Sequence, residues 1–296
     1  MLILALLLVA DSLRAFSLAV APAESVQVTT AGSGAPVVLV PGMFGSAFGY
    51  RKVMPLLIEA GYRVIVVEPL AIGTSSRPER ADYSLTAQAD RIAAALDQLG
   101  VRDAIVVAHS TSASMAYRLG YRRPDLVAGI VSIEGGPAER ATTRGFRRAL
   151  ELAPWIKLFG GMKLVRRKIH GELIKASGDT SWVSDTVVEG YTAGAARDLD
   201  ATLKAFLAMA ERREPEQLRP HLAEVRCPVR LLVGTAEHQS GVRPEELVLL
   251  AQSLAAFAVD SVAGAGHYIQ EEQPAAVVAA VQRLLLPVGG PERVRL

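Results

Sequence analysis

Ser110 lies in Ala108-His109-Ser110-Thr111-Ser112, directly after the apolar, β-branched run Ala104 to Ala108 and before Ala113 to Leu119, which has helical character. A strand that turns abruptly into a helix strains the residue at the turn and excludes bulk two positions to either side, as in a G-x-S-x-G nucleophile elbow. Ala108 and Ser112 replace those glycines and keep both flanks small. Such a turn presents the Ser110 hydroxyl as a nucleophile.

A serine hydroxyl attacks poorly at neutral pH unless a base within hydrogen-bond reach takes its proton and a third group orients that base. The chain has 5 histidines. His109 adjoins the nucleophile and should point into structure, His170 lies in a basic helical stretch, His221 precedes a strand and His238 follows an acidic residue. His267 is placed differently, in the small-residue loop Ala263-Gly264-Ala265-Gly266-His267-Tyr268 ahead of the closing helix, where its ring can reach back over a sheet edge. It is the candidate base. Two glutamates compete to orient it. Glu237 follows the strand Val229 to Val233, gives the chain order Ser, Glu, His and is preferred; Glu134 closes the preceding strand in Ile133-Glu134-Gly135-Gly136-Pro137 and would face the same crevice.

Acyl transfer also builds negative charge on a carbonyl oxygen, and one positioned N–H donor is worth roughly 10² to 10³ in rate. The backbone amide of Thr111 is one candidate oxyanion donor. The other is that of Met43, in Pro41-Gly42-Met43-Phe44-Gly45-Ser46, the loop after the strand Pro36 to Val40. No Lys-Ser or Lys-Thr pair follows this loop and no G-x-G-x-x-G is present, so it does not read as a phosphate cradle.

The elements that must position these groups alternate along the chain. Strands are expected at Val26 to Thr30, Pro36 to Val40, Arg63 to Val67, Ala104 to Ala108, Gly129 to Ile133 and Val229 to Val233, with helices between them, one beginning at Ser84 and ending near Gly100 and another closing the chain from Pro274 to Leu286. This is an α/β pattern with a mostly parallel central sheet flanked by helices. Strand signals stop between Gly135 and about Leu222, where a helical insertion is expected. The division expected is a core at 23–135 and 223–288, an inserted cap at 136–222, an apolar N-terminal segment at 1–22 and a tail at 289–296.

Composition narrows the function. Half of the 296 residues are hydrophobic, enough for a buried sheet, and a net charge of +2 with 5% aromatic residues gives no footprint for nucleic acid. The single cysteine, Cys227, permits no internal disulfide and no cysteine-rich zinc site, and its apolar neighbours place it as a packed thiol. Leu2 to Ala10 is apolar and Ala19-Val20-Ala21 resembles a cleavage site, although no basic residue precedes the run. These features favour secretion, periplasmic placement or membrane association over the cytoplasm. Between Glu139 and Lys175, 10 basic residues, including Arg140, Arg144, Arg147, Arg148 and Lys157, face 3 acidic ones, and Met162, Val165, Ile169 and Leu173 form an apolar stripe. A solvated cap helix packed on the core is the plainer reading; contact with an anionic membrane surface is the alternative.

The Pro41–Ser46 loop, the segment Glu68-Pro69-Leu70-Ala71-Ile72-Gly73-Thr74-Ser75, the elbow and the His267 loop together resemble the α/β-hydrolase superfamily from about Ser25 to Leu286. The family often has a His-Gly pair opening the first loop and an Asp opening the second segment, where this chain has Pro41 and Glu68. The resemblance implies the α/β-hydrolase fold, a helical cap between two late core strands, and a serine hydrolase acting on a small, apolar or acyl substrate without metal or organic cofactor. Members that attack epoxides or haloalkanes carry an aspartate where Ser110 stands. An ester, thioester or lactone hydrolase is therefore expected, with a carbon–carbon bond hydrolase, or a ligand-binding module of little turnover, as alternatives. Some dehalogenase-like members carry their acid at the position of Glu134.

Overall fold

A computed structural model describes residues 13–142, 161–239 and 241–285. The expectations placed on Leu2 to Ala10, on Arg144, Arg147, Arg148 and Lys157, and on the tail lie outside them.

Among the described residues eight strands form one sheet: β1 (Arg14–Ala21), β2 (Glu24–Ala31), β3 (Ala35–Val40), β4 (Tyr62–Glu68), β5 (Ala104–His109), β6 (Val127–Ile133), β7 (Val229–Gly234) and β8 (Phe257–Val262). Their spatial order is β1-β2-β4-β3-β5-β6-β7-β8. The β1–β2 and β2–β4 pairs are antiparallel and the remaining pairs parallel. The period-two rule assigns each side chain its face. Val38, Val40, Ile65, Val67 and Val106 pack beneath α2 (Leu85–Gln98) and α3 (Ser112–Arg122), while Val37, Leu39, Val64, Val66, Ile105 and Val107 pack against α1 (Val53–Glu59) and α9 (Pro274–Leu285). Both faces are covered, which explains the unbroken apolar runs in β3 to β6. Helix α2 starts where Ser84 Oγ accepts from the Ala87 amide at 3.1 Å, and its chain exits through Gly100 at φ +63°.

The N-terminal boundary requires correction. Residues 14–21 were expected to belong to a leading apolar segment, with the core starting at 23; they form the edge strand β1, paired with β2 from Arg14↔Thr30 to Ala21↔Glu24. Ala19-Val20-Ala21 lies within that pairing. Its alternation accounts for this: Phe16, Leu18 and Val20 turn inward against the core and the residues between them outward. Among the described residues no helix is long and apolar enough to cross a membrane.

Between β6 and β7 run α4 (Gly161–Ala176), α5 (Asp185–Arg197), α6 (Leu199–Glu211) and a short 3-10 segment at Arg219–Glu224. Ile169 and Leu173 of α4 pack inward with Trp182, Val187, Val188 and Tyr191, leaving Lys163, Arg167, Lys168 and Lys175 exposed. Helices α7 (Pro244–Ser253) and α8 (Ile269–Glu272) and a 3-10 segment at Ala47–Tyr50 complete the described elements.

One fully buried guanidinium fastens both roots of this insertion to the helix that follows Ser110. Arg118 on α3 pairs with Glu139, where the chain leaves the core, at 3.3 Å, and with Glu214, where it returns, at 3.6 Å. Its Nε also donates to Thr86 Oγ1, and Nη1 donates to the Ser114 and Ala138 carbonyls. The carboxylates hold backbone in turn: Glu214 accepts from the Leu85 and Thr86 amides, and Glu139 from those of Leu218 and Arg219. Removing one member of such a network strands the others in low dielectric. Arg118→Met should therefore lower stability by about 3 to 5 kcal/mol in urea unfolding.

Candidate active site

Parallel register alone brings the chemistry-bearing residues together. Val40 pairs with Ala108, His109 with Ile133 and Ile133 with Leu232, so Pro41, Ser110, Glu134 and the end of β7 emerge in one row at the C-terminal edge of the sheet. Gly234, the last residue of β7, pairs with Val262, after which the chain turns into the Ala263–His267 loop. The C-terminal edge is where open α/β sheets place ligands.

Ser110 has φ +54°, a left-handed conformation that non-glycine residues rarely adopt and that costs of order 1 to 3 kcal/mol. Its amide donates to the Ile133 carbonyl at 2.8 Å, and its own carbonyl starts α3 by accepting from Ala113. Thr111 occupies the N-cap of that helix, whose positive dipole end favours developing negative charge. The small flanks have a structural reason. Ala108 is fully buried, and Ser112 Oγ, also fully buried, donates to the Pro41 carbonyl at 2.7 Å, tying the elbow to the Pro41–Ser46 loop. That loop closes on itself by Gly45 N–H donating to Gly42 O at 2.8 Å. It sits hard against the elbow, since a Cβ on Gly42 would stand 3.4 Å from Ser110 Cβ and 3.0 Å from His109 Nδ1. Met43 and Phe44 rest on Phe206 and Ala210 of α6, with the Phe44 and Phe206 rings edge to face at 5.5 Å.

His267 is buried and anchored twice through its backbone: its amide donates to Ala176 O at the end of α4, at 2.7 Å, and its carbonyl accepts from His109 Nε2 at 3.0 Å. The His109 and His267 rings lie 4.7 Å apart, so the residue beside the nucleophile spaces the candidate base. Tyr268 stands edge-on to His267 at 5.3 Å, followed outward by Trp182 and Tyr191.

The preferred acid is not where the chemistry gathers. Glu237 is exposed, whereas Glu134 is 3% exposed, and one carboxylate oxygen of Glu134, one ring nitrogen of His267 and one of His238 all lie within 4.8 Å of one another. The physical reason is a backbone turn. Glu134 has φ +49°, which swings its side chain across the end of β7, where Oε1 accepts from the Gly234 amide. The glutamate that follows β6 thus occupies the space at the end of β7 that Glu237 is expected to serve. Burial raises its pKa, opposed by the Gly234 amide and by His238. His238, set aside on sequence, is the unforeseen member: Nε2 lies 3.5 Å from Glu134 Oε2 and Nδ1 is 2.7 Å from Ala236 O. Of the other histidines, His221 stacks on Tyr121 and pairs with Glu224, away from this group.

The model of the "Alpha/beta hydrolase family" matches residues 37–281 of the chain. The chain belongs to the alpha/beta hydrolase family. It is 24% identical over 241 residues to an uncharacterized hydrolase, YugF, of Bacillus subtilis, covering 80% of this chain and 85% of that one. It is 34% identical over 102 residues to epoxide hydrolase B of Mycobacterium tuberculosis, a stretch covering 34% of this chain and 28% of that one. Among solved structures, a bromoperoxidase from Bacillus anthracis superposes with a TM-score of 0.73 at 20% identity, covering 92% of this chain and 99% of that one. These likenesses show an alpha/beta hydrolase and its fold.

Where this hydrolase departs from the family pattern, the replacement has work to do. Glu68 is buried and accepts from the Ala47 amide at 2.8 Å and the Thr74 amide at 2.6 Å, bracing the far end of the Pro41–Ser46 loop. Gly73, at φ +54°, is required beside it, because a Cβ there would lie 2.2 Å from Glu68 Oε2. Cys227 is half-buried, and burial pushes its thiol up to about 11. His109 is enclosed, and desolvation lowers its pKa from 6.5 to about 4, opposed by its bond to the His267 carbonyl. The unfolded chain takes up this proton as pH falls below 6.5, while the folded chain resists until about 4, so stability present above 6.5 is lost progressively across that window. The full loss is about 3 kcal/mol. His109→Asn should flatten this slope when denaturant stability is compared at neutral and mildly acidic pH.

Proposed function

We propose that this alpha/beta hydrolase cleaves a carboxylic ester, thioester or lactone through a covalent acyl-enzyme on Ser110. The observation that carries the reading is the strained Ser110 turn, held between the Pro41–Ser46 loop and the His109–His267 contact. His267 takes the Ser110 hydroxyl proton as Oγ bonds to the carbonyl carbon. The amides of Met43 and Thr111 hold the resulting oxyanion, the latter aided by the dipole of α3. Collapse expels the alcohol or thiol, which receives the proton from His267. Water then attacks the acyl-serine, giving its proton to the same ring, and Ser110 leaves with that proton as the acid product is released.

Glu134 serves as the orienting acid. Its buried carboxylate near His267 supports this role over the exposed Glu237, because a carboxylate stabilises a transient imidazolium most strongly in low dielectric. The apolar contacts of Met43 and Phe44 with Phe206 favour an acyl group of hydrocarbon character on that side. The insertion acts as a cap that sets the substrate.

Ser110→Ala should lose on the order of 10⁶ in kcat toward a short p-nitrophenyl ester, and near-normal turnover would overturn the assignment. Glu134→Gln should lose about 10⁴ by the same assay. Glu237→Gln should change kcat little, as expected of an exposed charge; the opposite ranking would return the role to Glu237.

A further inference from the structure

We propose that Glu134, His238 and His267 form an inhibitory site for a divalent transition metal, Zn²⁺ above all. The proposal deepens the reading of His267 as the base and rests on it.

The ring protons lead to the site. A backbone carbonyl only accepts, so the 2.7 Å contact to Ala236 O assigns the proton of a neutral His238 ring to Nδ1. Nε2 then turns a lone pair toward Glu134 Oε2, another acceptor, 3.5 Å away. Both atoms are buried and neither makes a well-aligned hydrogen bond, the Val242 amide and the His238 ring acting on the Glu134 carboxylate only weakly. A ring nitrogen of His267 completes the triangle, with all three atoms within 4.8 Å of one another. Two acceptors that face one another, as His238 Nε2 and Glu134 Oε2 do, need a shared cation between them, a proton or a metal ion. Zinc bonds nitrogen and oxygen at about 2.1 Å, which separates two ligands of a tetrahedral site by about 3.4 Å, close to the observed spacing of the first pair. Two imidazoles and one carboxylate are a donor set that zinc takes readily. The anchoring of His238 through its other nitrogen to a carbonyl is the usual support of a metal-binding histidine, and the Gly234 amide supports Glu134 in the same way.

Binding there disables the base by proton bookkeeping. Zinc on one nitrogen of neutral His267 leaves the ring proton on the other, and any proton on the coordinated nitrogen moves to its partner or to solvent. The ring can then no longer accept the Ser110 proton, whichever nitrogen is bound. The same ion engages Glu134, so base and acid are captured together. His238, which the hydrolytic steps do not use, provides the third ligand.

The test uses the full-length protein, stripped with a chelator and dialysed. Calorimetric titration with zinc chloride should show one ion per chain, ester hydrolysis should fall over the same concentration range, and chelator should restore it. Co²⁺ in place of Zn²⁺ should give the visible absorption of a low-symmetry nitrogen and oxygen site, a readout that needs neither turnover nor a variant. His238→Asn should weaken zinc binding by about tenfold or more, while Glu237→Gln, at the exposed neighbour, should bind as the wild type does. Absence of stoichiometric uptake, or affinity unchanged by His238→Asn, overturns the site and leaves a shared proton between His238 and Glu134. Fluorophosphonate labelling of Ser110 separates the two readings. Labelled enzyme without zinc uptake removes the metal site alone, whereas zinc uptake by a chain that resists labelling removes the hydrolase reading and retains the site.

Discussion

Glu134 carries its carboxylate into an almost fully enclosed place at the edge of the sheet, and enclosing a charge costs several kcal/mol unless other groups compensate it. The Gly234 amide on β7 provides part of that compensation, and two imidazoles, His238 and His267, converge on the same space. The left-handed backbone at Glu134 is what aims it there. It sits in the same register row as the left-handed Ser110, so two strained residues on neighbouring strands face one crevice. Strain of this kind persists only where the surroundings over-determine it. Here the parallel ladders, the Ser112 bond to Pro41 and the close approach of Gly42 provide that constraint.

Much of this was legible in the residues. The six strands expected are all present, and in β3 to β6 the signal is the continuous apolar run that strands buried on both faces require. The Ser84 cap and the closing helix from Pro274 also stand where their signals put them. The two edge strands were not foreseen, and each has a physical reason. β1 shows one face to solvent and is built from small residues that imitate a cleavage site. β8 is only partly buried and carries Asp260, which is paired with Arg230 and Arg283 and breaks its apolar pattern. At the site, local sequence identified Ser110 and His267 as candidates through their turn and loop. It ranked Glu237 above Glu134, since the φ angle and the reach between strands that bring Glu134 to His267 leave no mark in local sequence. His238 had no signal beyond lying one residue past Glu237, and only the fold shows its ring folded inward.

The insertion is bound to this centre at several points. Ala176 at the end of α4 holds the His267 amide, and Glu272 Oε2 accepts from the Gly178 and Asp179 amides just beyond it and from Gly266 in the histidine loop. On the opposite side Arg118 ties both roots of the insertion to α3. The insertion is thereby coupled to the helix that follows Ser110 and to the loop that carries His267.

The most direct measurement is acid-quenched mass spectrometry of the enzyme during turnover of a slowly deacylated ester. Expected is one acyl mass per chain, mapped to the peptide containing Ser110 and absent from Ser110→Ala. Product formation without any covalent adduct, or an adduct mapped to another residue, would contradict the assignment of Ser110 as the nucleophile.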